Sequence, residues 1–216
     1  MSAKKKQREE AQRKPRRLGI AGAVVLVLAG AGWYGLYWQP KQIAAEAQAS
    51  LEQGDVLRGQ GQIDEAAGQY RRAIELKPDW AQAWSNLAVT DAALERFAAA
   101  IPNFERALAL DPKHFEAQIG YAISLDGLGD FLGAEKHYEK ALAIRSDFGG
   151  VYYNLGYLYQ KQGLYVEAAE QYEEAVRRLP NLLQALANLG LVYDLQQNPG
   201  RAIEVYQRAI KAHPEE

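Results

Sequence analysis

The sequence predicts an all-α chain in which one membrane-spanning helix precedes a solenoid of five helical hairpins. Three observations carry that reading. Ala66, Ala100, Ala134, Ala168 and Ala202 recur every 34 residues, each followed seven positions on by a second alanine, Ala73, Ala107, Ala141, Ala175 and Ala209. A run of 21 uncharged residues, Leu18 to Trp38, stands ahead of this array. Eight basic residues crowd the 17 positions before that run.

Taken in order, residues 1-17 form a basic tail. Lys4, Lys5, Lys6, Arg8, Arg13, Lys14, Arg16 and Arg17 face only Glu9 and Glu10, a net charge of +6. Residues 18-38 are about 30 Å long as a helix, the thickness of a bilayer hydrocarbon core, and read as a transmembrane signal anchor. Trp33, Tyr34, Tyr37 and Trp38 suit the headgroup level at its outer end. Lys41 is the only basic residue in the fifteen after the span, so the positive-inside rule keeps the N-terminus cytoplasmic and sends the repeats across the membrane, into the periplasm of a Gram-negative bacterium. A secretory signal peptide cleaved near Ala29-Gly30-Ala31 is the competing reading. Either one places the repeats on the same side.

Residues 39-46 are a short juxtamembrane connector, and the array fills 47-216 in five rows: 47-80, 81-114, 115-148, 149-182 and 183-216. Position eight of each row is small: Gly54, Ala88, Ala122, Gly156 and Gly190. Position 24 is aromatic: Tyr70, Phe104, Tyr138, Tyr172 and Tyr206. Two antiparallel helices approach closely only where facing side chains are small, so positions eight and 20 are expected to form a tight crossing. The aromatic and the second alanine share one face of the second helix. Pro78, Pro112, Pro180 and Pro214 at position 32 end that helix and turn the chain into the next unit, with Ser146 standing in row three.

This pattern resembles the tetratricopeptide repeat, with its 34-residue period and ordered small and aromatic positions. Row four carries it most fully, in Tyr152, Leu155-Gly156, Tyr159, Ala168, Tyr172, Ala175 and Pro180, and row two adds Trp84. The resemblance covers 170 of 216 residues and implies a right-handed α-solenoid of helix-turn-helix units that binds other proteins.

Four departures locate softer spots. Ser50 and Gln53 weaken the inner face of row one. Pro102 is expected to kink the second helix of row two or delay its start. Ser146-Asp147-Phe148-Gly149-Gly150 suggests a capping pair and a less rigid joint. Asn198-Pro199-Gly200 reads as an N-cap with proline at the first helical position.

Residues 39 to 216 hold 17 basic and 25 acidic residues, net −8, a field that repels nucleic acid. The chain has no cysteine, which excludes thiol chemistry and zinc–thiolate sites. His114, His137 and His213 lack metal-like spacing and read as surface histidines. Glu170, Glu173 and Glu174, like Glu135 and Glu139, are interleaved with Arg177, Arg178, Lys136 and Lys140, the pattern of a solvated helix face. No enzyme, cofactor, metal or small-molecule substrate is expected.

The resemblance implies that first helices line a concave groove, where row positions two, five, six, nine, twelve and thirteen commonly meet a partner. Position six is asparagine in three rows, Asn86, Asn154 and Asn188, but Glu52 and Gly120 in the others. An amide offers a donor and an acceptor together and can pair with a peptide backbone of any sequence, so the three suggest a partial ladder. An alternative is that they bridge neighbouring helices. Val89, Ile119, Ile123, Tyr153, Tyr157 and Leu191 surround them as apolar anchors. Leu51, Asp55 and Ser85 do not match the carboxylate clamp of chaperone-binding relatives. After row five no polar helix covers Ile203, Tyr206, Ala209 and Ile210, a possible C-terminal docking face. The expected function is a membrane-anchored interaction scaffold or chaperone-like assembly factor. The alternative is a permanent subunit of a larger membrane, envelope or photosynthetic complex.

Overall fold

A computed structural model describes residues 39–212. The basic tail, the apolar segment 18–38 and residues 213–216, with His213 and Pro214, lie outside the described residues. Among those described there are ten α-helices and no strand. In chain order they are α1 (Gln39–Gly59), α2 (Ile63–Leu76), α3 (Ala81–Ala93), α4 (Phe97–Leu110), α5 (Phe115–Gly127), α6 (Phe131–Ile144), α7 (Gly149–Lys161), α8 (Tyr165–Arg178), α9 (Leu183–Leu195) and α10 (Pro199–Ala212). They pair as α1–α2 through α9–α10, and each second helix also packs on the first helix of the next unit. Among the described residues no helix is long and apolar enough to cross a membrane.

The core is quasi-one-dimensional. Four buried clusters each join two consecutive units, from Leu51, Tyr70, Ala83 and Leu87 at one end to Tyr172, Leu186, Val192 and Val205 at the other. All ten period alanines are buried. Positions eight and 20 share a buried cluster in units two and three, Ala88 with Ala100 and Ala122 with Ala134. A methyl on Gly54 or Gly156 would sit 2.6 or 2.7 Å from the ring of Tyr70 or Tyr172, so the small residue at position eight makes space for the aromatic at position 24 of its own unit. Gly190 does the same for Tyr206. Gly120, at position six, sits under the Phe104 ring of the preceding unit, so row three has no room for an asparagine there.

The turn inside every unit repeats one geometry. Position 15 is left-handed in all five: Gly61, Glu95, Gly129, Gly163 and Gln197, with φ between 57° and 83°. The N–H of the following residue donates back to position 11, as from Gln62 to Leu57 and from Arg96 to Asp91, both at 2.9 Å. This is a Schellman closure of the first helix, easiest for glycine.

The softer spots resolve individually. Residues 39–46, the juxtamembrane connector, are helical and continuous with the first helix of unit one, and Ala47 is its first buried residue. Pro102 lies inside α4, which starts at Phe97 in register with its counterparts. Its start is not delayed, because Pro102 and Ala98, the donor it lacks and the carbonyl it frees, are both exposed to solvent. At the joint before α7 the capping pair does not form. Phe148 occupies the N-cap without a side-chain hydrogen bond, Gly149 is buried beneath Leu179, and Phe148 packs edge-on against Phe115 at 5.1 Å. Asn198 does cap α10, its Oδ1 accepting from the Arg201 N–H at 3.4 Å.

Candidate functional site

First helices carry the candidate groove, and their side chains divide into those used inside the fold and those left open. Asn86 is buried: its Nδ2 donates to Asp55 Oδ1 at 2.9 Å, and its Oδ1 accepts from Gln82 Nε2 at 2.6 Å. The Tyr70 hydroxyl donates to the same Asp55 oxygen at 2.7 Å. Burial and that carboxylate push the Tyr70 pKa up, so the phenol stays protonated. In the last two units Tyr172 donates to Gln160 Oε1 at 2.7 Å, while Asn188 Nδ2 donates to the Tyr172 hydroxyl at 3.2 Å. Both asparagines therefore bridge consecutive units.

Asn154 differs. It is half-buried and its side chain makes no hydrogen bond to another described residue. Around it Ile123 is 41 %, Tyr157 46 % and Leu191 43 % exposed, while Ile119, Tyr153 and Val89 are partly covered. Lys161 reaches across from unit four to Asp126 of unit three at 2.6 Å and lies over the rings of Tyr157 and Phe131. That charge is neutralised, and Asn154 stands among these apolar side chains as an uncommitted amide. Glu52 and Asp55 give unit one an acidic, polar face instead.

Of the acids singled out in the sequence, Glu135, Glu173 and Glu174 are held by cations or phenols. Glu174 takes both Arg177, at 2.6 Å, and Arg178, which holds its carboxyl below the usual range. Glu173 turns away from Arg177 and meets the Tyr193 hydroxyl and Arg201. Tyr159 donates to Glu135. The Glu135 and Glu173 contacts link neighbouring helices, whereas Glu174 pairs within its own helix.

Two histidines depart from the surface reading. His114 is buried and caps α5, its Nδ1 accepting from the Ala117 N–H at 3.3 Å. His137 packs 4.2 Å from the Tyr121 ring, and its Nδ1 lies 2.7 Å from Gln118 Oε1. Gln118 Nε2 donates to the Pro112 carbonyl, leaving its oxygen to accept, so the His137 proton belongs on Nδ1. Burial, then Lys140 and Lys136, lower its pKa to about 4, and it is neutral at pH 7. The His137 contact is tertiary, set by α5 and α6 meeting, and spacing in one helix does not reveal it; the His114 cap is local to the start of α5. At the C-terminal end Ile203 and Ile210 are 56 % and 68 % exposed, whereas Tyr206 is partly covered and Ala209 buried within its own unit.

Comparison with known proteins agrees with this geometry. In fold the chain is similar to PilW, described as a type IV pilus biogenesis factor, with 21% identity, a TM-score of 0.73 and coverage of 86% of this chain and 91% of PilW. It is similar to MamA from Desulfovibrio magneticus RS-1, with 18% identity, a TM-score of 0.71 and coverage of 79% and 97%. It also resembles YrrB, described as a TPR protein with an unusual peptide-binding site, with 20% identity, a TM-score of 0.62 and coverage of 77% and 86%. At such identities the likeness is one of fold. No curated protein matches the sequence. A family model described as tetratricopeptide repeat matches residues 79–147 and again 147–215, and one described as TPR repeat matches 54–93. With most of its length matched by repeat models and the same hairpin stacked five times, the chain belongs to the tetratricopeptide-repeat family.

Proposed function

We propose that this chain is a membrane-anchored scaffold, or chaperone-like assembly factor, that holds segments of other proteins in the groove of units three to five. The observation that carries the reading is Asn154, an amide with no internal partner, standing among Ile119, Ile123, Tyr153 and Tyr157. An apolar segment lying there would bury its side chains against those residues while one peptide group pairs with the amide, donor to acceptor and acceptor to donor. The repeat fold, and neighbours described by peptide binding and pilus biogenesis, support binding rather than catalysis. Anchoring through 18-38 would hold the groove close to membrane proteins and raise its effective concentration there, so micromolar contacts suffice. No cofactor, nucleic acid or small-molecule substrate enters the mechanism.

Crosslinking in native membranes through a photoreactive residue in place of Tyr157, followed by mass spectrometry, tests the groove. Captured protein that disappears in the Asn154→Ala, Ile123→Asp variant supports it, and capture unaffected by those changes overturns it. The exposure of Ile203 and Ile210 favours a second reading, a permanent subunit of a larger complex docked through that face. Under mild detergent a factor separates from its clients on dilution, whereas a subunit stays in fixed ratio.

A further inference from the structure

We infer that the edge carrying the turns between units, residues 77–80, 111–114, 145–148 and 179–182, lies against phospholipid headgroups. This rests on the reading of 18-38 as a membrane span.

α1 is helical from Gln39, the residue that follows the apolar segment, and runs unbroken to Gly59. Eight residues of helix separate Trp38 from Ala47, the first buried residue, and they span about 12 Å, where an extended linker would reach about 28 Å. A helix cannot pay out length, so unit one is held near the interface. Every first helix starts at the inter-unit edge and ends at the turn within its unit. The edge from which α1 projects is therefore the one bearing all the inter-unit turns. The opposite edge lies about 20 Å further away, the length of a 13-residue first helix.

The chemistry of the two edges differs in the same sense. On the near edge Lys77 Nζ lies 4.8 Å from the Trp80 ring centre, and the Arg145 guanidinium covers Phe115 and Phe148 at 4.6 and 4.9 Å. Lys77, Lys113 and Arg145 form no ion pair with a described carboxylate. Phe148 and Leu179 are exposed beside them. Asp79, Asp111 and Asp147 share this edge, so it offers both signs of charge with aromatic and aliphatic groups between them. That composition suits the headgroup layer, where phosphates meet cations and amphipathic rings are favoured. On the far edge the turns at 60–62, 94–96, 128–130, 162–164 and 196–198 hold one basic residue, Arg96, paired with Asp64 at 3.1 Å.

The absence of cysteine makes the test direct. Single variants of the full chain, Asp79→Cys and Asp147→Cys on the near edge and Ala98→Cys and Leu132→Cys on the far edge, are labelled with a fluorophore. They are then reconstituted into phosphatidylethanolamine and phosphatidylglycerol vesicles with spin labels on a fraction of the headgroups. All four sites are exposed, and helical circular dichroism confirms that each variant folds. Quenching at least twofold stronger at both near-edge sites supports the assignment. Equal quenching at the two edges, or stronger quenching at the far edge, overturns it while leaving the anchor intact. Release of the chain from the vesicles by alkaline carbonate overturns the anchor itself, and the edge assignment falls with it.

Discussion

Asn188 Nδ2 donates to the Tyr172 hydroxyl at 3.2 Å, fastening position six of the fifth unit to position 24 of the fourth. The same two positions meet around Asp55 in the first two units, through Asn86 and Tyr70. Asn154 repeats the residue type without the bond. Two of the three asparagines therefore serve the fold, and the third makes no hydrogen bond within it.

That division predicts opposite phenotypes for one substitution. Asn86→Ala and Asn188→Ala each remove a part-buried inter-unit hydrogen bond and are expected to cost about 1 kcal/mol, lowering Tm by about 2–4 °C. Asn154→Ala is expected to leave thermal unfolding unchanged within about 0.5 kcal/mol while weakening partner capture. Equal loss of stability in all three variants, read by circular dichroism melts, would show that Asn154 is structural too.

Gly156 tests the space made for the aromatic ring. An alanine methyl would meet Tyr172 at 2.7 Å, and overpacking of this kind costs about 1–3 kcal/mol. Units two and three place Ala88 and Ala122 there, in the same buried clusters as Phe104 and Tyr138, so the penalty is expected where the unit is built around glycine. Urea unfolding of Gly156→Ala should show a lower midpoint. An unchanged midpoint would mean that α7 and α8 move apart freely, as in a loosely packed pair.

Architecture was legible in the sequence because the repeat enforces it five times over: every period alanine is buried and all five second helices begin at position 17. The site was legible only in part. Position six gave the asparagines, but whether an amide is spent or free depends on position 24 of the preceding unit and on Asp55 or Gln160, residues from other helices. Gly120 looked like a gap in a ladder and proves to be the seat of Phe104. The left-handed turn at position 15 had a visible signal, glycine in Gly61, Gly129 and Gly163, which the alanine and aromatic register overshadowed.

That turn yields a stabilising prediction. Glu95 and Gln197 hold φ of 57° and 58°, a region costing a side chain about 1–2 kcal/mol. Glycine removes the strain but gives back part of the gain through its freer unfolded state. Glu95→Gly and Gln197→Gly are each expected to raise stability by about 0.5–1 kcal/mol, measured by chemical denaturation, and to act additively because the sites lie in different units. A drop in stability would show that Glu95 or Gln197 makes contacts worth more than the backbone strain.

His137 sets the sign of an acid transition. Its folded pKa of about 4 lies below the ordinary value of 6.5, because burial and then Lys140 and Lys136 oppose protonation, with Asp130 acting in the other direction. The unfolded chain thus binds a proton more readily, and the stability contributed by neutral His137 is fully present above pH 6.5 and lost as pH falls towards 4. After allowance for partial solvent screening, the loss is about 1–2 kcal/mol. His137→Gln keeps a donor for Gln118 without titrating. Its stability should fall less than that of the wild type between pH 6.5 and 4, in melts at fixed ionic strength. Parallel profiles for the two proteins would mean that groups other than His137 govern this range.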